Sequence, residues 1–142
     1  MRIVGIGNGL RGDDGVGLVV AAKLAARRPD LEVATSPGGV TELLDLLARP
    51  GALLLVDAMA SGAPAGTVRR FSKTVPARTA GGTHDAGLAD ALALAGALGR
   101  EPAEVTVIAI EGACFDLGCE ALSPAVGAAA DTLVEELATT LG

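Results

Sequence analysis

Apolar and polar positions alternate along this chain in blocks that predict strands and helices in turn. The run from Ala52 to Val56 is continuously apolar, which is typical of a strand covered on both faces. Longer stretches with apolar residues three and four positions apart predict helices. In chain order the pattern predicts strand Arg2–Ile6, helix Asp14–Arg28, strand Leu31–Thr35, helix Thr41–Ala48, strand Ala52–Val56, strand Gly66–Ser72, helix Asp85–Leu98, strand Glu104–Ile110 and helix Ser123–Leu141.

This order of elements predicts an α/β fold, namely a three-layer α/β/α sandwich around a five-stranded, mostly parallel sheet. The link between Val56 and Gly66 is too short for a crossover helix. The fourth strand is therefore expected to run antiparallel to the third. The chain shows no internal repeat or long linker, and its 142 residues fit a single domain that spans residues 1–142.

Composition narrows the function classes. Half of the residues are apolar, but the chain has no Trp or Tyr and only two Phe, so Val, Leu, Ile and Ala must form the core. A formal charge of −6 argues against a nucleic-acid binder, because phosphate binding needs basic patches. The sequence has no apolar run of ~18 residues and no signal-peptide pattern, which predicts a cytoplasmic protein that does not enter a membrane. The oligomeric state does not follow from the sequence.

A glycine-rich turn, Gly7-Asn8-Gly9-Leu10-Arg11-Gly12, follows the first predicted strand and matches the spacing of a dinucleotide-binding motif. Such a site places a pyrophosphate on the N-terminus of the next helix, and this terminus carries Asp13 and Asp14. Like charges ~4 Å apart repel by about 1 kcal/mol in water and by more when they are partly buried. The second strand also ends in Thr35-Ser36-Pro37 instead of the acid that would hold a ribose. A nucleotide-binding domain is therefore a disfavoured alternative.

Three acidic or histidine-bearing segments are expected to meet at one edge of the sheet, because ligands of α/β sheets bind beyond the carboxyl ends of the strands. Asp13 and Asp14 follow the first strand, Asp57 ends the third, and His84, the single histidine, lies in a glycine-rich loop. Two carboxylates and an imidazole suit a divalent transition metal with open coordination positions. Asp13 is assigned as a helix cap, because adjacent positions cannot point the same way. Loop amides bonded to Asp57 and a surface position for His84 are the alternatives.

The two cysteines, Cys114 and Cys119, follow the fifth predicted strand. Their spacing matches neither a CxxC redox motif nor half of a recognisable zinc site. In a reducing cytosol, two small, buried or half-buried thiols are expected.

Several motifs together resemble the hydrogenase maturation endopeptidases, which trim the large subunit of nickel–iron hydrogenase. The matching segments are Gly5-Ile-Gly-Asn8 with Asp13-Asp-Gly-Val-Gly17, Pro37-Gly-Gly39, Leu55-Val-Asp-Ala58, Thr83-His-Asp-Ala-Gly-Leu88 and Leu122-Ser-Pro-Ala-Val126. The resemblance implies a twisted five-stranded sheet between helical layers. It also implies that Asp14, Asp57 and His84 are the catalytic and metal-binding residues, and that the metal is nickel.

The implied reaction removes a short C-terminal extension from a hydrogenase large-subunit precursor that already holds nickel, so the enzyme and its partner would share the metal. Preference for the nickel-loaded form would make cleavage follow nickel insertion. Three mechanisms stay open: nickel-assisted hydrolysis, general-base catalysis by Asp14 or Asp57, and a thiol nucleophile from Cys114 or Cys119. The thiol is the least expected, because the family pattern has no cysteine there. A non-catalytic nickel-binding or chaperone module is the alternative function.

Overall fold

The computed structural model describes residues 1–49, 51–72, 85–99, 104–119 and 121–142. They form five strands, four α-helices and one short 3-10 turn. In chain order these are β1 (Arg2–Ile6), the 3-10 turn (Gly12–Gly15), α1 (Val16–Arg27), β2 (Glu32–Ser36), α2 (Val40–Ala48), β3 (Ala52–Met59), β4 (Val68–Ser72), α3 (Asp85–Ala97), β5 (Glu104–Glu111) and α4 (Pro124–Thr140).

The strands form one sheet in the order β2-β1-β3-β5-β4. β1, β2, β3 and β5 are parallel, and β4 is antiparallel. The prediction that the fourth strand runs antiparallel to the third is confirmed. β4 pairs with β5 and not with β3, because β5 pairs with β3 along all eight residues of both strands. β3 is apolar on both faces and suits the centre of the sheet, whereas the exposed Arg69 and Arg70 suit β4 to an edge.

Alternate residues of β3 pack into two separate cores on opposite faces of the sheet. Leu54 and Val56 pack in the core formed with α1 and α4. Leu53 and Leu55 pack in the core formed with α2 and α3. This arrangement confirms the three-layer sandwich and explains why β3 is an uninterrupted apolar run.

Two predicted boundaries next to the candidate site are wrong. The third strand was expected to end at Val56, but it continues to Met59, because its last residues pair with the end of β5. The first helix was expected from Asp14, but the chain first makes the 3-10 turn, and α1 begins at Val16. A Cβ atom on Gly17 would collide with the carbonyl oxygens of Ile6 and Val56, so only glycine lets α1 start directly over β1 and β3.

Within the described ranges, no helix is long and apolar enough to cross a membrane.

Candidate active site between the carboxyl ends of β1 and β3

The order of the strands reverses between β1 and β3. From β1 the chain passes through α1 to β2 on one side, and then through α2 to β3 on the other side. Ligands of open α/β sheets bind at such a reversal, beyond the carboxyl ends of the strands. The two strands that flank this position bring Asp14 and Asp57 to the candidate site.

Asp14 lies in the 3-10 turn after β1 and is fully buried. Its Oδ2 accepts a hydrogen bond of 2.8 Å from the backbone N–H of Asn8. A Cβ atom on Gly7 would meet the carbonyl oxygen of Asp14, so the glycine-rich turn folds tightly back over the end of β1. The glycines therefore place a carboxylate at the end of β1, where a dinucleotide site would place a phosphate.

Asp57 lies inside β3 and does not end it, but it is level with the end of β1. Gly5 pairs with Val56, and β1 ends one residue later at Ile6. Asp57 is 3% exposed, and its Oδ1 accepts a hydrogen bond of 2.8 Å from the N–H of Ala58. Side chains alternate along a strand, so Asp57 belongs to the face that α2 and α3 cover.

His84 lies outside the described residues. The next residue, Asp85, begins α3, and α3 packs on the face of the sheet to which Asp57 belongs. The three-residue set of Asp14, Asp57 and His84 stays a prediction.

Asp13 was expected to cap the first helix, and this expectation is wrong. The residue that precedes α1 is Gly15, and no side chain caps that helix. The buried Asp13 carboxylate instead accepts hydrogen bonds from the N–H groups of Ala113 (2.7 Å) and Cys114 (3.0 Å), and from the N–H and Oγ–H of Ser123 (both 2.6 Å). It therefore ties the turn after β1 to both ends of the loop between β5 and α4.

The hydrogen bonds determine the ionisation of Asp13. Burial alone would raise the pKa of this carboxyl group, but the bonds from Ser123, Ala113 and Cys114 outweigh burial and lower the pKa. The anion is therefore the stable form. The sequence did not predict this role, because the donors lie about a hundred residues away from Asp13 along the chain.

The expectation of two reduced thiols is also corrected, because the structure joins Cys114 and Cys119 in a disulfide. Asp13 holds both ends of the loop and the chain folds back between them, which brings the two half-buried sulfurs together. In this state neither residue presents a thiolate that could act as a nucleophile.

A further buried carboxylate, Glu111, was not singled out from the sequence. It is 2% exposed at the end of β5 and accepts hydrogen bonds from the N–H and Oγ–H of Ser61 and from the N–H of Gly62. Glu111 therefore holds the link between β3 and β4. Its sequence signal is the same as that of Asp57: an acid that follows an apolar run.

A family model described as hydrogenase maturation protease matches residues 20–140. The chain belongs to the hydrogenase maturation protease family. This confirms the resemblance found in the motifs. The matched range includes Asp57 and His84, and Asp14 precedes it.

Solved structures of hydrogenase maturation proteases share the fold. The [NiFe] hydrogenase maturation protease HybD from Thermococcus kodakarensis is 30% identical over 96% of each chain, with a TM-score of 0.66. The hydrogenase maturating endopeptidase HybD from E. coli is 24% identical over 96% of this chain and 90% of that chain, with a TM-score of 0.73. No curated protein matches this chain significantly. As a member of this family, the chain is a hydrolase of the endopeptidase class.

Proposed function

We propose that this hydrogenase maturation protease removes the C-terminal extension of a hydrogenase large-subunit precursor that already holds nickel, and that it acts in the cytoplasm. The observation that carries the proposal is a pair of buried carboxylates where the sheet reverses: Asp14 in the 3-10 turn that follows β1, and Asp57 in β3. The family supplies the class of reaction, and these two residues supply the candidate recognition site.

The donor set fits nickel that arrives with the substrate. Asp14 and Asp57 offer carboxylate oxygens and His84 an imidazole nitrogen, a combination suited to divalent transition metals. Burying anionic groups costs free energy, and a cation bound between them would offset that cost. Three protein ligands leave coordination positions for thiolates of the precursor, so the metal would bridge enzyme and substrate only when the precursor is loaded.

Peptide hydrolysis then needs a proton acceptor and stabilisation of the developing negative charge on the carbonyl oxygen. Bound nickel would supply Lewis acidity. Asp14 or Asp57 would take a proton from the attacking water as its oxygen bonds to the carbonyl carbon, and the proton would pass to the departing amine as the C–N bond breaks. Preference for the loaded precursor is a difference in binding affinity, which makes nickel insertion the condition for cleavage.

Mass spectrometry of a precursor incubated with the protein, with and without nickel, tests the proposal. Loss of a C-terminal peptide is expected only in the nickel-loaded sample. Asp14→Asn, Asp57→Asn and His84→Ala should each slow this loss by about 100-fold or more, the usual scale for a lost acid–base group. Asp45→Asn, which alters an exposed aspartate of α2, is the matched control and should cleave at the wild-type rate.

Wild-type rates in all three site variants would show that the site assignment is wrong. Nickel-dependent association with the precursor but no change in its mass would instead favour the alternative, a non-catalytic nickel-binding or chaperone module.

A further inference from the structure

The loop between β5 and α4 carries a second cluster of metal-binding groups, separate from Asp14 and Asp57. The sulfur atoms of Cys114 and Cys119 and a carboxylate oxygen of Asp116 lie within 4.8 Å of one another. Among the described residues, no other group of three potential ligands is this close. The two cysteine sulfurs are joined in a disulfide, with 6.4 Å between the Cα atoms.

The positions of these residues are fixed by contacts that do not involve sulfur. The N–H of Asp13 donates to the carbonyl oxygen of Cys114 at 2.8 Å, and the Asp13 carboxylate accepts from the N–H of Cys114. The N–H of Cys119 donates to the carbonyl oxygen of Asp116 at 3.0 Å, which turns the loop back on itself. Cys119 also lies against Gly12, where a Cβ atom would come within 2.5 Å of the Cys119 Cβ. We therefore expect the loop to keep its shape after the disulfide is reduced.

We propose that the reduced loop binds one thiophilic divalent ion of the zinc type through Cys114, Cys119 and Asp116, and that the disulfide is the closed alternative of the same site. Two thiolates and one carboxylate are a donor set for such an ion, and three protein ligands leave a fourth position open. In a tetrahedral zinc site with bonds of ~2.3 Å, the two sulfurs stand about 3.8 Å apart. Cysteines with this Cα separation reach that geometry through side-chain rotation.

A phosphine can reduce the disulfide and so open the site to a metal ion. The phosphine gives two electrons to the disulfide and becomes a phosphine oxide with oxygen from water, while each sulfur takes up a proton. The metal ion then replaces the two thiol protons, which are released to solvent. Oxidation and metal binding exclude one another because both use the same two sulfurs.

Titration with Co²⁺ alone tests the proposal, since Co²⁺ bound to thiolate absorbs in the near ultraviolet. Reduced protein, freed of reductant and kept under inert gas, should develop this thiolate-to-cobalt absorption and saturate at an equimolar ratio. Zn²⁺ should displace the cobalt and abolish the absorption. Oxidised protein is the matched control, because it has the same chain with both sulfurs blocked, and it should show no such absorption.

Variants locate the ligands and separate this site from the candidate active site. Cys114→Ser and Cys119→Ser should each abolish the absorption, and Asp116→Asn should weaken Co²⁺ binding by about 10-fold or more. Asp57→Asn should leave the thiolate-to-cobalt absorption unchanged, because only the two cysteines supply thiolates, so the result does not depend on the proposed function. The proposal is overturned if reduced wild-type protein shows no thiolate-to-cobalt absorption at a large excess of Co²⁺. It is equally overturned if oxidised protein absorbs as strongly as reduced protein.

Discussion

Among the described residues, four buried carboxylates divide into two pairs by their place in the fold. Asp13 and Glu111 are bonded to loops far away along the chain, with donors about 100 residues from Asp13 and about 50 from Glu111. The hydrogen bonds described for Asp14 and Asp57 come from backbone groups six residues and one residue away. The first pair fixes loops in place, and the second pair is held at the reversal between β1 and β3.

This difference shows that burial alone does not mark a functional acid. All four residues are at most 3% exposed, so a search for buried carboxylates would return them together. What separates them is that the donors to Asp13 and Glu111 join distant parts of the chain, whereas Asp14 and Asp57 lie where the sheet reverses. Replacing each acid by its amide tests the distinction, because the shape is kept and the charge removed.

Among the substitutions of an acid by its amide, the largest loss of stability is expected for Asp13→Asn. One carboxylate oxygen accepts from Ala113 and Cys114 and the other from the backbone N–H of Ser123, so the amide NH₂ group must face a backbone donor in either orientation. Losing charged acceptors and leaving a buried donor unpaired should lower the unfolding free energy by about 3 kcal/mol or more. Urea denaturation at neutral pH measures this loss of unfolding free energy.

The matched control for this variant is Asp45→Asn on the exposed side of α2, which should change the unfolding free energy by less than about 0.5 kcal/mol. If Asp13→Asn were as stable as that control, the anchoring role of Asp13 would have to be abandoned.

The 3-10 turn that holds Asp13 contacts the loop between β5 and α4, which is called the cysteine loop below. Alanine substitutions at two glycines with similar backbone conformations test this contact. Gly12 has φ +56° and lies against Cys119, whereas Gly99 has φ +68° and faces open space. Both variants incur the cost of a left-handed alanine, about 1–2 kcal/mol. Gly12→Ala must also displace the cysteine loop, so it should lose about 2 kcal/mol more than Gly99→Ala in the same urea experiment. Equal losses would show that the turn and the loop are not packed together in solution.

Periodicity predicted the layers of this fold well, because it reports burial. β1 was bounded correctly, and the apolar run in β3 predicted a strand covered on both faces. Periodicity does not report pairing partners. The end of β3 therefore depended on β5, and the sequence predicted the direction of β4 but not its neighbour, which is β5.

The roles of the two adjacent aspartates show the same limit at the site. The sequence required that Asp13 and Asp14 point in different directions, and the structure agrees. The sequence could not show that Asp13 faces Ser123, because that contact joins residues 110 positions apart. The disulfide between Cys114 and Cys119 was missed for a different reason: thiols were expected from the reducing cytosol, and residue spacing alone does not show that the two sulfurs meet.

Glu111→Gln is expected to lose less unfolding free energy than Asp13→Asn, although Glu111 also anchors a loop. One glutamine orientation keeps an oxygen toward the N–H groups of Ser61 and Gly62 and turns its NH₂ toward the Ser61 hydroxyl, which can accept a hydrogen bond. The loss should therefore be about 1 kcal/mol, measured against the exposed control Glu104→Gln. A loss equal to that of Asp13→Asn would mean that the charge of Glu111, and not its hydrogen bonds, holds the link between β3 and β4.

The smallest change in stability is expected for Asp57→Asn, the variant expected to lose processing. The amide oxygen can still accept from the N–H of Ala58, and the substitution removes a charge from a buried position. The unfolding free energy should therefore change by less than about 1 kcal/mol. Processing and urea denaturation measured on one preparation would separate the two effects. A loss as large as that of Asp13→Asn would place Asp57 with the anchoring carboxylates, because a residue kept for substrate recognition need not contribute to stability.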